Sequence, residues 1–107
     1  MTQDFHFSRP RESDVEDEVI AWAMNNGFEH RFMAYRGRQG CPDSWFFING
    51  FILPIEFKKP GGPNRANQVQ DRKKLAKVGV IVPVFDNAQE AIRYLRSYLY
   101  RQAQHLV

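Results

Sequence analysis

The stretch Trp45-Phe46-Phe47-Ile48-Asn49-Gly50-Phe51-Ile52-Leu53 decides the architecture. Two apolar runs flank Asn-Gly, and both of these residue types accept the positive φ that a two-residue hairpin turn demands. The second run continues to about Lys58. With Asn49 and Gly50 at the tip, Ile48 faces Phe51, and counting outward brings Asp43 opposite Glu56. A pair at that position is of the non-hydrogen-bonded kind, with Cβ atoms roughly 4.5–5.5 Å apart. Glu56 and Lys58 are two residues apart, so they share a sheet face with Asp43. Like charges directly opposed destabilise a sheet, and a bound cation would remove that cost. Pro54 has no N–H to donate, so a bulge or a gap in the ladder is expected beside it.

Two carboxylates and an ammonium on one face form a chemical set. The carboxylates suit Mg²⁺, a hard ion that takes oxygen ligands and keeps several waters. Lys58 can orient or deprotonate a water, or stabilise charge on a phosphorane. Phosphodiester hydrolysis needs these parts. Glu56-x-Lys58 alone is better explained by an ordinary cross-strand ion pair; Asp43 in register opposite brings the two readings nearly level.

Outward from the hairpin, Ser13-x-x-Glu16 reads as a capping box that opens a helix. Val15, Val19, Ile20, Trp22 and Ala23 give that helix its apolar face, and Asn26-Gly27 ends it. Phe32 to Tyr35 is a strand candidate, and Gly37 to Pro42 a loop. Lys59-Pro60-Gly61-Gly62-Pro63 must turn. Asn64 to Val78 reads as a helix, Val80 to Phe85 as a buried strand, and Asn87 caps a last helix through about Gln102. The expectation is one α/β domain over 13–107, behind an N-terminal arm of residues 1–12. Its mixed sheet belongs to the order α-β-β-β-α-β-α.

These residues complete a known pattern. Gly37-Arg38-Gln39-Gly40-Cys41-Pro42-Asp43, then Ile55-Glu56-Phe57-Lys58-Lys59-Pro60-Gly61-Gly62, then Gln68, resemble the VRR-NUC family of the PD-(D/E)XK nuclease superfamily. The resemblance runs from about Ser13 to Leu95. It implies a restriction-endonuclease-like core and a Mg²⁺- or Mn²⁺-dependent endonuclease. Asp43 and Glu56 would be metal ligands, with the Phe57 carbonyl a third, and Lys58 the catalytic lysine. Glu16 matches an additional acidic position, although the capping box also accounts for it, and Gln68 matches a supporting glutamine. Small stand-alone relatives of this kind, of phage or bacterial type, imply a substrate of branched DNA such as Holliday junctions and a homodimer to match its two-fold symmetry. Pro54 and Asn67 depart from the pattern.

The chain has 107 residues, the size of one domain, with 43% hydrophobic and 25% charged residues. That composition excludes a disordered chain. No apolar run approaches the roughly 20 residues of a membrane span. One cysteine, Cys41, excludes an internal disulfide and a cysteine zinc site, and is read as a small loop residue. A reducing, cytoplasmic setting follows as an expectation. The net charge of +3 is weak evidence for DNA by itself. Arg36 and Arg38 could grip phosphates, and Lys59, Arg65, Arg72 and Lys73 could track a DNA backbone. His6, His30 and His105 have no metal-ligand spacing and read as structural or surface. Ala91, Leu95, Tyr98 and Leu99 form a stripe suited to a core or a dimer contact. The alternative function is a non-catalytic nucleic-acid-binding protein on a nuclease fold.

Overall fold

The computed structural model describes residues 11–37 and 40–104. In chain order the elements are α1 (Glu12–Asn25), β1 (Glu29–Phe32), β2 (Ser44–Ile48), β3 (Phe51–Phe57), α2 (Ala66–Lys77), β4 (Val84–Phe85) and α3 (Ala88–Arg96). The sheet runs β1-β2-β3-β4. The first two pairings are antiparallel and β3–β4 is parallel, joined by the crossover through α2.

Asn49 (φ 51°) and Gly50 (φ 84°) both take the left-handed region, so the β2–β3 hairpin closes through the expected mirror-image turn. The register also holds, with Ile48 opposite Phe51 and Ser44 opposite Ile55. Leu53, Ile55 and Phe57 point to one face with Phe46, against Val15, Val19 and Ala23 of α1 and Ala88, Ala91 and Leu95 of α3. Fully burying a residue such as Phe46 or Ile55 contributes roughly 1.5–3 kcal/mol. The opposite face carries Trp45 and Pro54, and there α2 closes over a cavity.

Five expectations are corrected. The ladder runs unbroken past Pro54, which faces Trp45. The N–H groups of Glu56 and Lys58 point to Pro83 and Phe85, so Pro54 by parity points the same way, where β4 has not yet begun. No hydrogen bond is lost there, and no bulge is needed. Helix α1 starts at Glu12, and the carboxylate of Asp14 takes the Arg11 N–H at 3.0 Å. That contact does the work assigned to Ser13 and Glu16, and Glu16 is freed to face inward.

The first strand is Glu29–Phe32, not Phe32 to Tyr35. Gly27 (φ 89°) ends α1 with Phe28 N–H on the Ala23 carbonyl, and the chain passes straight into the sheet. Phe32 and Met33 end up exposed, and His30 takes the buried position. Strand β4 keeps only Val84–Phe85, since Val80 and Ile81 are exposed and Pro83 has no N–H for a ladder. Helix α3, capped by Asn87 Oδ1 on the Glu90 N–H, stops at Arg96 rather than near Gln102. Its Ala91 and Leu95 are buried inside the chain, so that stripe is core. No helix among the described residues is long and apolar enough to cross a membrane.

Candidate active site

Glu56 lies on the α2 side of β3, yet it is 4% exposed. Its Oε1 has no hydrogen-bond partner among the described residues. Such an orphaned acceptor costs about 1–3 kcal/mol, and more when charged. Burial pushes its pKa up to about 7; the Arg72 guanidinium pulls against this, and the charges of Asp43, Glu12 and Asp71 add to the rise. Asp43 therefore stands close enough to be felt. It is exposed and sits just before β2, its carbonyl taking the Met33 N–H at 2.8 Å. The ladder stops at Ser44–Ile55, one pair short of Asp43 and Glu56. Carried one step further, the register would set Asp43 opposite Glu56, on the face that Trp45 and Pro54 share.

Glu16 reaches the same place from α1. Burial raises its pKa to about 7, Asp43 adds to the rise, and a hydrogen bond from Ser44 opposes it. The Ser44 hydroxyl also lies 2.7 Å from His30 Nε2. Ser44 spends its one proton on Glu16, so it accepts from His30, which fixes the Nε2–H tautomer. Burial and then Arg31 lower the His30 pKa, which suits the neutral ring. Ser44 and His30 escaped the sequence reading as site residues. The available signal was a serine at a core-facing strand position directly after Asp43.

Lys58 comes from the end of β3. Its Nζ donates to the Gly62 carbonyl at 2.7 Å. That carbonyl is presented by a type II turn: Gly62 N–H bonds the Lys59 carbonyl, with Pro60 second and Gly61 third at φ 69°. Asp86 Oδ2 accepts the Gly61 N–H and steadies the turn from the β4 side. Lys58, Lys59, Arg65, Gln68 and Glu12 line one cleft of about 360 Å³. Gln68 therefore lines the same cleft as Lys58. Glu12, which the sequence did not single out, pairs with Arg65 at 3.7 Å across it.

The basic candidates divide. Lys59 and Arg65 border the cleft, and Arg72 leans toward Glu56 and lies 3.5 Å from Asn64 Oδ1. Lys73 lines a neighbouring groove with Arg72, and Arg36 is on the exposed turn before Gly37. Arg38 lies outside the described residues, as do His6 and His105.

No three Asp, Glu, His or Cys side chains converge into a ready cage among the described residues. A hard divalent ion does not require one, because one or two carboxylates with waters suffice. The orphaned Glu56 oxygen beside Asp43 fits that donor set. The hairpin register supplies a third donor. Continued two steps past Ser44–Ile55, it sets Pro42 against Phe57, and Pro42 has no N–H for the Phe57 carbonyl.

A pH effect follows from the two raised acids. Each binds its proton more tightly folded than unfolded, so the folded chain holds more protons between about pH 4.5 and 7. Stability then falls as pH rises through that window. The melting temperature in EDTA is expected to drop from roughly pH 5 to pH 8, and Mg²⁺ at pH 8 to restore it. A metal-insensitive melting temperature that is flat or rises with pH would count against this site.

Comparison with solved structures finds a likeness to one described as a "VRR_NUC domain", with a TM-score of 0.71 and 22% sequence identity over 81% of this chain and 96% of that chain. No protein-family model matches the sequence, and no curated protein does. The chain has the VRR_NUC fold: a small α/β domain with a four-stranded mixed sheet and three helices.

Proposed function

We propose that this chain is a VRR-NUC nuclease, a Mg²⁺- or Mn²⁺-dependent endonuclease that hydrolyses DNA phosphodiesters in branched substrates such as Holliday junctions. The observation that carries the reading is the buried Glu56 oxygen without a partner, beside Asp43 and two residues from Lys58. The likeness in fold supports it. Asp43, Glu56 and the Phe57 carbonyl would hold the cation. When bound, it would make a water more acidic and offset charge on the phosphate.

The chain's own residues do the rest. Lys58 spends one donor on Gly62 and has others for a non-bridging phosphate oxygen. Gln68, across the same cleft, orients a water or a phosphate oxygen by hydrogen bonding. Glu16 holds or releases a proton near neutrality, positioned by Ser44. Lys59, Arg65, Arg72, Lys73, Arg36 and Arg38 would follow the flanking backbone. A homodimer would match a two-fold junction, with an interface outside the buried stripe of α3. Such an enzyme would act on DNA in the cytoplasm.

The test is incubation with labelled four-way junction, flap, duplex and single-stranded DNA in Mg²⁺, Mn²⁺ or EDTA. Metal-dependent cutting is expected, with symmetric nicks in the junction. Lys58→Ala should reduce the rate roughly 100-fold or more while binding persists. Binding without cutting in either metal would replace this reading with that of a non-catalytic DNA-binding protein.

A further inference from the structure

A second cavity, of about 480 Å³, lies between the sheet and α2 and shares no lining residue with the Lys58 cleft. Its volume falls in the roughly 300–1,000 Å³ range of small-molecule sites. Trp45, Tyr35, Pro42 and Pro54 supply flat, carbon-rich walls. The polar edges of the two aromatic rings are turned away on one acceptor. Tyr35 Oη donates to the Pro42 carbonyl at 2.6 Å, and Trp45 Nε1 lies 2.9 Å from that oxygen and 3.1 Å from Tyr35 Oη. Both rings are thereby fixed to the carbonyl directly before Asp43. Pro54 pairs with Trp45 in the ladder, so the floor is rigid too. Lys74 and Val80, both exposed, stand at the mouth.

We propose that this cavity binds one unstacked nucleobase of the DNA substrate, next to the phosphate presented to Asp43. The inference rests on the nuclease reading and adds a source of selectivity to it. Aromatic walls bind any base through its π-face. Lys74 at the rim suits the phosphate that follows the base. Extruding a base is least costly where it is already unpaired, as at a branch or in a single strand. Selectivity for such DNA then arises without any reading of sequence.

The test measures binding of a labelled single-stranded oligonucleotide in EDTA, with one base removed at each position in turn. Removal at one position is expected to weaken binding roughly tenfold or more, with little effect elsewhere. Val80→Trp, which plugs the mouth from an exposed position, should bind the intact strand as weakly as the parent protein binds that abasic strand. Trp45→Phe, which keeps a ring, should retain most of the base dependence. Equal binding with and without every base, or base dependence surviving in Val80→Trp, overturns the cavity assignment. Cutting of the same strands in Mg²⁺ separates the two claims. Cleavage without base dependence removes the cavity proposal alone, and base dependence without cleavage removes the nuclease alone.

Discussion

Glu56→Gln is expected to melt at a higher temperature than the parent protein at about pH 8 in EDTA, and to lose DNA cleavage by on the order of 10³. The two effects have one cause. The Glu56 carboxyl is buried, has an unpartnered oxygen and stands beside Asp43, so its ionisation near pH 7 opposes folding. The amide has the same shape and no charge, so the cost of ionisation disappears. It is also a poor ligand for a hard cation, so the gain from Mg²⁺ should vanish with the activity. Thermal melts with and without Mg²⁺, beside a cleavage assay, read all three quantities. A less stable variant would mean that Glu56 is paired and structural. A variant that still cuts at the parent rate would remove it from the site.

Gly40→Ala is expected to cost about 2–4 kcal/mol, the range of strained or overpacked positions. Gly40 has φ +82°, and a Cβ there would lie 2.4 Å from the Asn67 carbonyl oxygen and 2.9 Å from the Gln68 nitrogen. Both are backbone atoms of the first turn of α2, so neither can swing aside as a side chain would. At roughly 4–8 °C per kcal/mol for a domain this small, the melting temperature should fall by about 10 °C or more. Gly37→Ala is the control, since its φ is +66° and nothing lies within 4 Å. It carries the conformational strain without the collision. Because Gln68 rides on the displaced turn, cleavage by any folded Gly40→Ala fraction should fall as well. Equal melting temperatures for the two variants would show that α2 yields easily to the loop.

The hairpin was legible from the chain because its turn chemistry admits almost no alternative. Asn49 and Gly50 set the register, and the same count carried outward puts Asp43 opposite Glu56, two residues from Lys58. Misreadings arose where apolar residues stay wet or polar ones go under. Phe32 and Met33 look like a strand but are exposed, and His30 is buried because Ser44 satisfies it from across the sheet. Val80 and Ile81 imitate the core in the same way. Glu16 could be read both as a cap and as a site acid, and the start of α1 at Glu12 removes the first of these. That depends on which carboxylate, Asp14 or Glu16, turns back onto the start of α1, a local choice that the spacing leaves open.

The tip of the hairpin has one more consequence. Asn49 Nδ2 donates to the carbonyls of Tyr98 and Leu99, and the Asn49 carbonyl receives both the Gln102 side chain and the Ala103 N–H. These partners lie about fifty residues downstream. The hairpin can zip locally within microseconds, but its tip is fastened only after the crossover and α3 have come home. Contacts of such long sequence separation form late and slow folding. The clasp should therefore be absent from the folding transition state. Losing its side-chain half, as in Asn49→Gly, which removes the two Nδ2 bonds and keeps those to the carbonyl, should speed unfolding while leaving the folding rate nearly unchanged.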